Sequence, residues 1–351
     1  MRMEEFDYGL PPAAIAQDPA EPRDRARLLV DGGEGRDPSH LRVRDLPDLL
    51  GPGDVVVVNE TRVLAARLRL LRSTGGAVEV LLVRPDGRGG WETLVRPSRK
   101  VAPGEVLTGA DHRGLTVVAG ERLSGGMRSV TLSLDGSPIT DPEGATALDG
   151  VGEMPLPPYI TAGTAPPQRY QTVYATVPGS VAAPTAGLHL TEALLGRIQQ
   201  RGARVQRVEL VVGIDTFRPV TVSDTADHVM HTERYRVPEV TMEACAGARR
   251  VVAVGTTTVR ALESAAATGR LEGDTDLFIT RGHRWAVVDA LMTNFHLPRS
   301  TLLVMIDAFI GPRWRELYSL ALDHGYRFLS YGDAMFLTRH PGSHRRGEDR
   351  R

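Results

Sequence analysis

Cysteine is nearly absent from this sequence: Cys245 is the single one in 351 residues. That excludes an intramolecular disulfide and a four-thiolate zinc site, and it fits a reducing compartment. Lysine is as scarce, with Lys100 alone, so nearly all the positive charge is guanidinium. Arginine suits bidentate contacts to phosphate and carboxylate, although a genomic bias toward arginine codons gives the same composition. No sign of charge dominates, since 42 Lys and Arg face 43 Asp and Glu for a net charge of −1. A protein held to nucleic acid by bulk charge would be basic, so any such contact has to be local. Long apolar runs are missing too. Leu302–Ile306 and four-residue runs such as Val55–Val58 are the longest, far short of the roughly 20 residues that cross a bilayer. Met1–Leu10 carries Glu4, Glu5 and Asp7 around no apolar centre, and is not read as a signal peptide. With 41% hydrophobic residues, a globular cytoplasmic protein is expected, of one large domain or two ordinary ones.

What is present changes texture along the chain. From about Asp54 to Asp135 short strand-like runs alternate with turns: Val55–Val58, Val78–Arg84, Trp91–Arg96, Leu115–Val118 and Ser129–Leu134, with turns at Pro85-Asp86-Gly87, Gly120 and Gly125-Gly126. That pattern predicts a small barrel or sandwich. Ser137–Pro167 is rich in Pro and Gly and reads as a connector. After Tyr170 helices and strands alternate. Thr191 caps a helix that Gly202 ends, and Val205–Val212 is a strand. A helix spans Pro238 to Arg250, and the strand Arg250–Val254 leads through Gly255 into a helix ending near Ala267. Strands at Phe278–Thr280, Val287–Leu291 and Met335–Thr338 and helices at Ser300–Phe309 and Trp314–His324 complete the reading. The fold class expected is an α/β main domain with a mixed sheet, plus an inserted all-β barrel-like domain. Residues 1–60 and 150–340 would form the first, residues 61–149 the second, and the basic tail 341–351 would be disordered.

Five segments carry chemistry. Gly179–His189 is a run of small residues before a helix, which lets a backbone approach a ligand; Thr185 and Gly187 are candidate binders and His189 a candidate acid or base. Gly255-Thr256-Thr257-Thr258-Val259-Arg260, followed by Glu263, ends a strand at a helix N-terminus. Its hydroxyls and free N–H groups could cradle a zwitterion, although an ordinary capped helix has the same pattern. It is neither a P-loop nor a Rossmann glycine fingerprint. Asp227-His228-Val229-Met230-His231 places two histidines three apart, one face of a helix if it is helical. With no cysteine pair and no third ligand nearby, polar contacts are expected there rather than a metal. Asp289–Pro298 breaks from a strand into a polar turn with Asn294 and His296, the usual place for a site in an α/β sheet. Tyr326–Asp333 is mostly core in character, with Tyr331 and Asp333 at a glycine turn as candidates.

Together these segments resemble the S-adenosylmethionine:tRNA ribosyltransferase-isomerase family of queuosine synthesis. The likeness runs from Phe6 to about Leu337 and includes Phe6-Asp7-Tyr8, Glu21-Pro22-Arg23-Asp24, Thr61-Arg62-Val63, Met154–Ile160 and Tyr170–Tyr174. It implies an α/β domain with an inserted β-barrel. The implied reaction moves the ribosyl part of S-adenosylmethionine, a co-substrate, onto 7-aminomethyl-7-deazaguanine in the anticodon loop of tRNA. Epoxyqueuosine forms, and adenine and methionine leave. No permanently bound cofactor, metal or membrane partner is implied, and a monomer is expected. The resemblance makes His189, His228, His231, Asp289, His296 and Asp333 the acid–base pool. It makes Thr185, Gly187, Asp215, Thr256, Thr257, Arg260, Glu263, Asn294 and Tyr331 the substrate binders. The sequence departs from the family at Gly213-Ile214-Asp215-Thr216-Phe217, where two small positions become Ile214 and Asp215, at Ala26, at Glu60 and across Thr161–Gln168. That altered turn keeps two other readings open: a paralogue that uses S-adenosylmethionine on a small acceptor or cleaves it, and a non-catalytic binding module. Arg62, Arg67, Arg96, Arg99 and Lys100 could form a basic face near the barrel, although a solvated strand surface looks the same.

Overall fold

β-Branched clusters between Gly and Pro turns become strands in the computed structural model, which describes residues 1–33, 35–213 and 220–339. The N-terminal part gives β1 (Arg27–Val30), β2 (Ser39–Arg42) and β3 (Asp54–Asn59). Next come β4 (Thr61–Val63), β5 (Arg67–Leu71), β6 (Ala77–Pro85), β7 (Trp91–Arg96), β8 (Val106–Gly109), β9 (Leu115–Arg122), β10 (Met127–Leu134), β11 (Ser137–Pro138) and β12 (Val177–Ser180). The C-terminal half alternates: α1 (Glu192–Gln200), β13 (Arg204–Leu210), β14 (Glu233–Arg236), α2 (Glu239–Ala246), β15 (Arg250–Val254), α3 (Thr256–Thr268), β16 (Glu272–Thr275), β17 (Ala290–Asn294), α4 (Thr301–Ile310), α5 (Arg313–Asp323) and β18 (Ala334–Thr338).

The chain divides into two compact units. One takes Met1–Glu60, Pro157–Ala175 and the chain from Pro184 onward; the other takes Thr61–Leu156 and Thr176–Ala183. The first holds a nine-stranded sheet in the order β16-β14-β13-β3-β15-β17-β18-β1-β2. Its centre is parallel, with β13, β3, β15 and β17 running the same way, and β18 reverses against β17. β3 carries four valines that are almost wholly buried, as expected of a central strand covered on both faces. Its buried Asp54 is held by Arg249 at 2.8 Å and Arg250 at 2.7 Å, so the carboxylate is paired rather than orphaned. Leu194 and Ile198 of α1 pack with Val56, Val58, Val252 and Val254 in the core.

The second unit closes on itself. β10-β7-β6-β5-β8-β9 form an antiparallel ring in which β9 pairs with β10, and β11 extends the edge by two residues. Inward residues alternate along the strands, as in Trp91, Thr93 and Val95 of β7, and Leu115, Val117 and Ala119 of β9. The expectation of an α/β domain with a mixed sheet and an inserted barrel-like domain is therefore borne out.

Several local readings need correction. Gly120 lies inside β9, not in a turn; a Cβ there would meet the Ser129 Oγ across the ladder at 2.3 Å. Phe278–Thr280 is not a strand; the edge strand is Glu272–Thr275 instead, whose pairing with β14 supplies what its composition lacks. The strand expected at Val287–Leu291 is displaced to Ala290–Asn294, and the helix from Pro238 stops at Ala246. The tail expected to be disordered lies outside the described residues. Among the described residues no helix is long and apolar enough to cross a membrane.

Candidate active site at the carboxyl edge of the sheet

β3, β15 and β17 run parallel, so Asn59, Gly255 and Asn294 arrive at the same edge of the sheet. Each strand ends in a residue that organises the edge. Asn59 donates from Nδ2 to the Leu210 carbonyl at 2.9 Å and accepts from the Leu210 N–H at 3.1 Å, tying β3 to β13. Gly255 takes φ +88°, a conformation costly for a side chain, and so turns β15 directly into α3. Asn294 accepts the Thr185 hydroxyl on Oδ1 at 3.0 Å and donates from Nδ2 to the Leu329 carbonyl and the His189 Nε2, both at 3.2 Å. One amide thus joins three loops, and its bond to His189 puts the ring proton of that histidine on Nδ1.

Two clefts open here. The first, about 370 Å3, has Thr256 and Thr257 at the N-terminus of α3, then Arg260, His231 and Glu233, with Met230, Phe278 and Met305 among its apolar lining. α3 is thirteen residues long, so its first N–H groups and the positive end of its dipole belong to this cleft. Glu233 is buried and central. Its Oε1 accepts from the Gly213 N–H at 3.0 Å and lies 3.1 Å from the His231 Nε2, while Oε2 pairs with the Arg260 guanidinium. Burial raises its pKa, but the His231 bond, the Arg260 charge and the Gly213 N–H outweigh burial, and Glu233 is held below the usual carboxylate range. A carboxylate that receives Nε2–H leaves the His231 Nδ1 lone pair available.

The second cleft, about 330 Å3, is lined by Asn294, His296, Thr185 and the hydroxyls of Tyr159, Ser300 and Ser330, and shares Leu302 with the first. Tyr159 and Ser330 hydrogen-bond at 2.7 Å. The His296 Nε2 meets the Thr293 Oγ1 at 3.0 Å, and its backbone is gripped by the hydroxyls of Tyr318 at 3.0 Å and Tyr8 at 2.5 Å. Burial pushes His296 down to about 3; burial, then the charges of Arg327 and Arg23, push His189 down to about 4. Both rings are neutral at physiological pH, which suits an edge that receives a cation.

The structure brings together Thr185, Asn294, His296, His231, Thr256, Thr257 and Arg260 from the sequence candidates. It sets others apart. Asp289 sits at the opposite end of β17, about 16 Å along the strand from Asn294, and accepts the Val251 N–H at 2.9 Å. The Asp333 carboxylate is occupied by the N–H groups of Arg27 at 2.7 Å and Arg327 at 2.8 Å. Glu263 does not pair with Arg260 on the helix face. It is buried, and accepts from Ala286 N at 2.8 Å and from Val287 N and Val288 N at 3.0 Å, fastening the loop before β17. Arg260 is itself engaged by Glu233 and by the carbonyls of Leu277 at 3.2 Å and Thr275 at 3.3 Å. Gly187 is small because the Tyr174 hydroxyl packs against it; a Cβ there would lie 2.0 Å from that oxygen. Tyr331 is core, edge-on to Tyr170 at 6.0 Å. His228 and His231 are not on a helix: a 3-10 turn ends at Asp227, and His228 packs edge-on against Phe278 at 5.3 Å. Asp215 and Ile214 lie outside the described residues. Among the described residues no group of three His, Cys, Asp or Glu is placed to hold a metal.

Sequence reasoning missed Glu233, Tyr159 and Ser330. Glu233 had a signal, the His-x-Glu alternation of an extended segment that puts residues 231 and 233 on one side. Tyr159 and Ser330 meet only through the fold.

A mixed α/β sheet with an inserted closed barrel, and a polar two-cleft site at the sheet's carboxyl edge, define an α/β enzyme that binds a small charged organic substrate. The family model described as "Queuosine biosynthesis protein" matches residues 3–337. The S-adenosylmethionine:tRNA ribosyltransferase-isomerase of Rubrobacter xylanophilus is 50% identical over 338 residues, 96% of this chain and 98% of that one. The protein of the same name from Thermus thermophilus is 50% identical over 347 residues, covering 95% and 99%. A crystal structure of an S-adenosylmethionine tRNA ribosyltransferase from Thermotoga maritima is 34% identical and superposes with a TM-score of 0.53, covering 95% of this chain and 99% of that one. The chain belongs to the S-adenosylmethionine:tRNA ribosyltransferase-isomerase family of queuosine biosynthesis proteins.

Proposed function

We propose that this enzyme transfers and isomerises the ribosyl part of S-adenosylmethionine onto 7-aminomethyl-7-deazaguanine in the anticodon loop of tRNA, giving epoxyqueuosine and releasing adenine and methionine. The observation that carries this reading is half-identity to two proteins of that name over nearly the full length of each. S-Adenosylmethionine is consumed as a co-substrate. A small-molecule acceptor, raised by the altered residues Gly213-Ile214-Asp215, is not favoured against that likeness. The cytoplasm, where tRNA is modified, is the location we assign.

Roles follow from the clefts. The methionine carboxylate meets the N–H groups and hydroxyls of Thr256 and Thr257 at the start of α3. The sulfonium lies among Met230, Phe278 and Met305, where an aromatic ring and soft thioethers suit a cation with no hydrogen to donate. The adenosine extends past Leu302 toward His296, Asn294 and the Tyr159–Ser330 pair. A sulfonium acidifies its neighbouring C5′–H. His231 takes that proton on Nδ1, and the buried Glu233 at its Nε2 stabilises the imidazolium that forms. The electron pair left on C5′ opens the ribose. The C4′–O4′ bond breaks as C4′=C5′ forms, and O4′ becomes a C1′ aldehyde as the C1′–nitrogen pair departs with adenine, which takes up a proton. The acceptor amine adds to C4′ and gives up a proton, the C5′ pair this restores bonds to C1′ and closes the carbocycle, and the resulting alkoxide closes the epoxide on C5′, expelling methionine with the C–S pair. His189 and His296 are driven too far down to carry a proton at neutral pH, so they serve as neutral hydrogen-bonding rings.

The test is adenine release from S-adenosylmethionine, with and without tRNA bearing the aminomethyl-deazaguanine. Release that requires this tRNA, and falls about a hundredfold or more in His231→Ala, supports the reading. Release without tRNA, or none with it, contradicts it.

A further inference from the structure

The barrel gathers positive charge that the chemistry above does not use, and strand register is what gathers it. Arg122, at the end of β9, lies directly opposite Arg128 of β10, and Arg128 pairs in turn with Thr93 in the middle of β7, which finishes at Arg96. Like charges directly opposite in an antiparallel ladder destabilise it. No carboxylate contacts either one among the described residues. Arg128 is fully buried, with Nε on the Gly120 carbonyl at 2.9 Å and Nη1 on the carbonyls of Val101 at 2.7 Å and Ser98 at 3.3 Å; its Nη2 has no partner among the described residues. Arg122 directs Nη2 to the carbonyls of Ser98 at 3.4 Å and Arg99 at 3.5 Å.

Two guanidinium groups thus hold one short turn, Ser98–Lys100, and keep the exposed Arg99 and Lys100 beside Arg122. Acid nearby is scarce. Of the two carboxylates whose charge reaches Arg128, Glu105 is held by both Nε and Nη2 of Arg72, at 2.7 and 3.2 Å, which leaves Glu121. Two other arginines of the same unit behave differently: Arg62 of β4 pairs with Asp149, and Arg84 of β6 with Glu92 at 2.8 Å. At the adjoining hairpin tip, Gly125 and Gly126 have no heavy atom within 4 Å of where a Cβ would stand, so nothing hinders a close approach.

We propose that this end of the barrel grips the phosphate backbone of the RNA substrate, through Arg99, Lys100 and Arg122, with the buried Arg128 charge beneath them. In a chain whose net charge is −1, such an uncompensated cluster supplies the local attraction that bulk charge does not. Guanidinium groups fork onto phosphate oxygens, and contacts of this kind set affinity without reading bases. The inference rests on the tRNA reading above.

The experiment measures tRNA binding by fluorescence anisotropy across a salt series, alongside the KM values for tRNA and for S-adenosylmethionine. The double variant Arg99→Ser/Lys100→Ser alters exposed side chains only, and Arg84→Ser, already paired with Glu92, is the control. The double variant is expected to weaken tRNA binding about tenfold and to lower the salt slope by about 1 to 2. Its KM for tRNA rises in proportion, while kcat and the KM for S-adenosylmethionine hold and the control matches wild type. Equal affinity and equal slope in the double variant and wild type overturn the proposal. If wild-type enzyme binds tRNA but releases no adenine, the catalytic reading fails, and the comparison of binding constants still decides the barrel surface.

Discussion

Gly187 shows how a residue of the site region earns its identity from a neighbour. A methyl group at this position would press on the Tyr174 hydroxyl 2.0 Å away and on the Thr172 Cγ2 at 3.1 Å. Gly187→Ala is expected to lower stability by about 2 kcal/mol. The Tyr174 hydroxyl is buried with no hydrogen-bond partner among the described residues, so Tyr174→Phe alone is neutral or stabilising, and combined with Gly187→Ala it recovers at least half the loss. Urea denaturation of the two singles and the double gives the coupling; additive effects would show that the contact does not exist. His189 and His296 make a second residue-scale prediction. Their folded pKa values, about 4 and about 3, lie below the ordinary histidine value, so between those values and about 6.5 the unfolded chain binds protons that the folded chain does not. The stability present above that window is lost as pH falls through it, about 2 kcal/mol per ring by pH 5. His296→Gln should shrink the wild-type fall in unfolding free energy between pH 7 and pH 5 by that amount; an unchanged fall contradicts the buried neutral ring.

At the scale of elements, helix N-termini do different work in different places. Ser300 caps α4 by accepting the Leu303 N–H at 3.2 Å, and Thr191 caps α1 by accepting the Leu194 N–H at 3.1 Å. Each cap replaced by Ala costs about 1 kcal/mol. Of these two helices, α4 borders the clefts, through Thr301, Leu302 and Met305, and α1 does not. Ser300→Ala is therefore expected to raise the KM for S-adenosylmethionine severalfold, and Thr191→Ala to leave it alone, as steady-state kinetics on the two variants would show. The Thr191 cap was legible in the sequence, because a hydroxyl before an apolar periodic run has a local cause. The Glu272–Thr275 strand was not, since its four residues hold no apolar side chain and only β14 makes them a strand. Asp289 failed for a related reason. Sequence shows that an acid lies beside a strand, but which end of that strand reaches the site is fixed by the parallel register of β15 and β17.

Across the whole molecule, the alternation of textures was enough to separate an α/β sheet from a barrel, because hydrophobic period and turn spacing are local properties. The site was legible only as segments. Thr256, Asn294 and His296 announced themselves by standing after strands, whereas the Glu233–Arg260 pair, the Tyr159–Ser330 pair and the Arg122–Arg128 opposition exist only once distant segments meet. The central claim is that the carboxyl edge of the sheet, from the start of α3 to His296, holds S-adenosylmethionine. A crystal structure with an analogue whose sulfonium is replaced by an unreactive amine-bearing carbon tests this most directly. The account predicts the amino-acid end at Thr256 and Thr257 and the nucleoside past Leu302 beside Asn294 and His296. Density for the analogue anywhere else, with those two clefts empty, would contradict it.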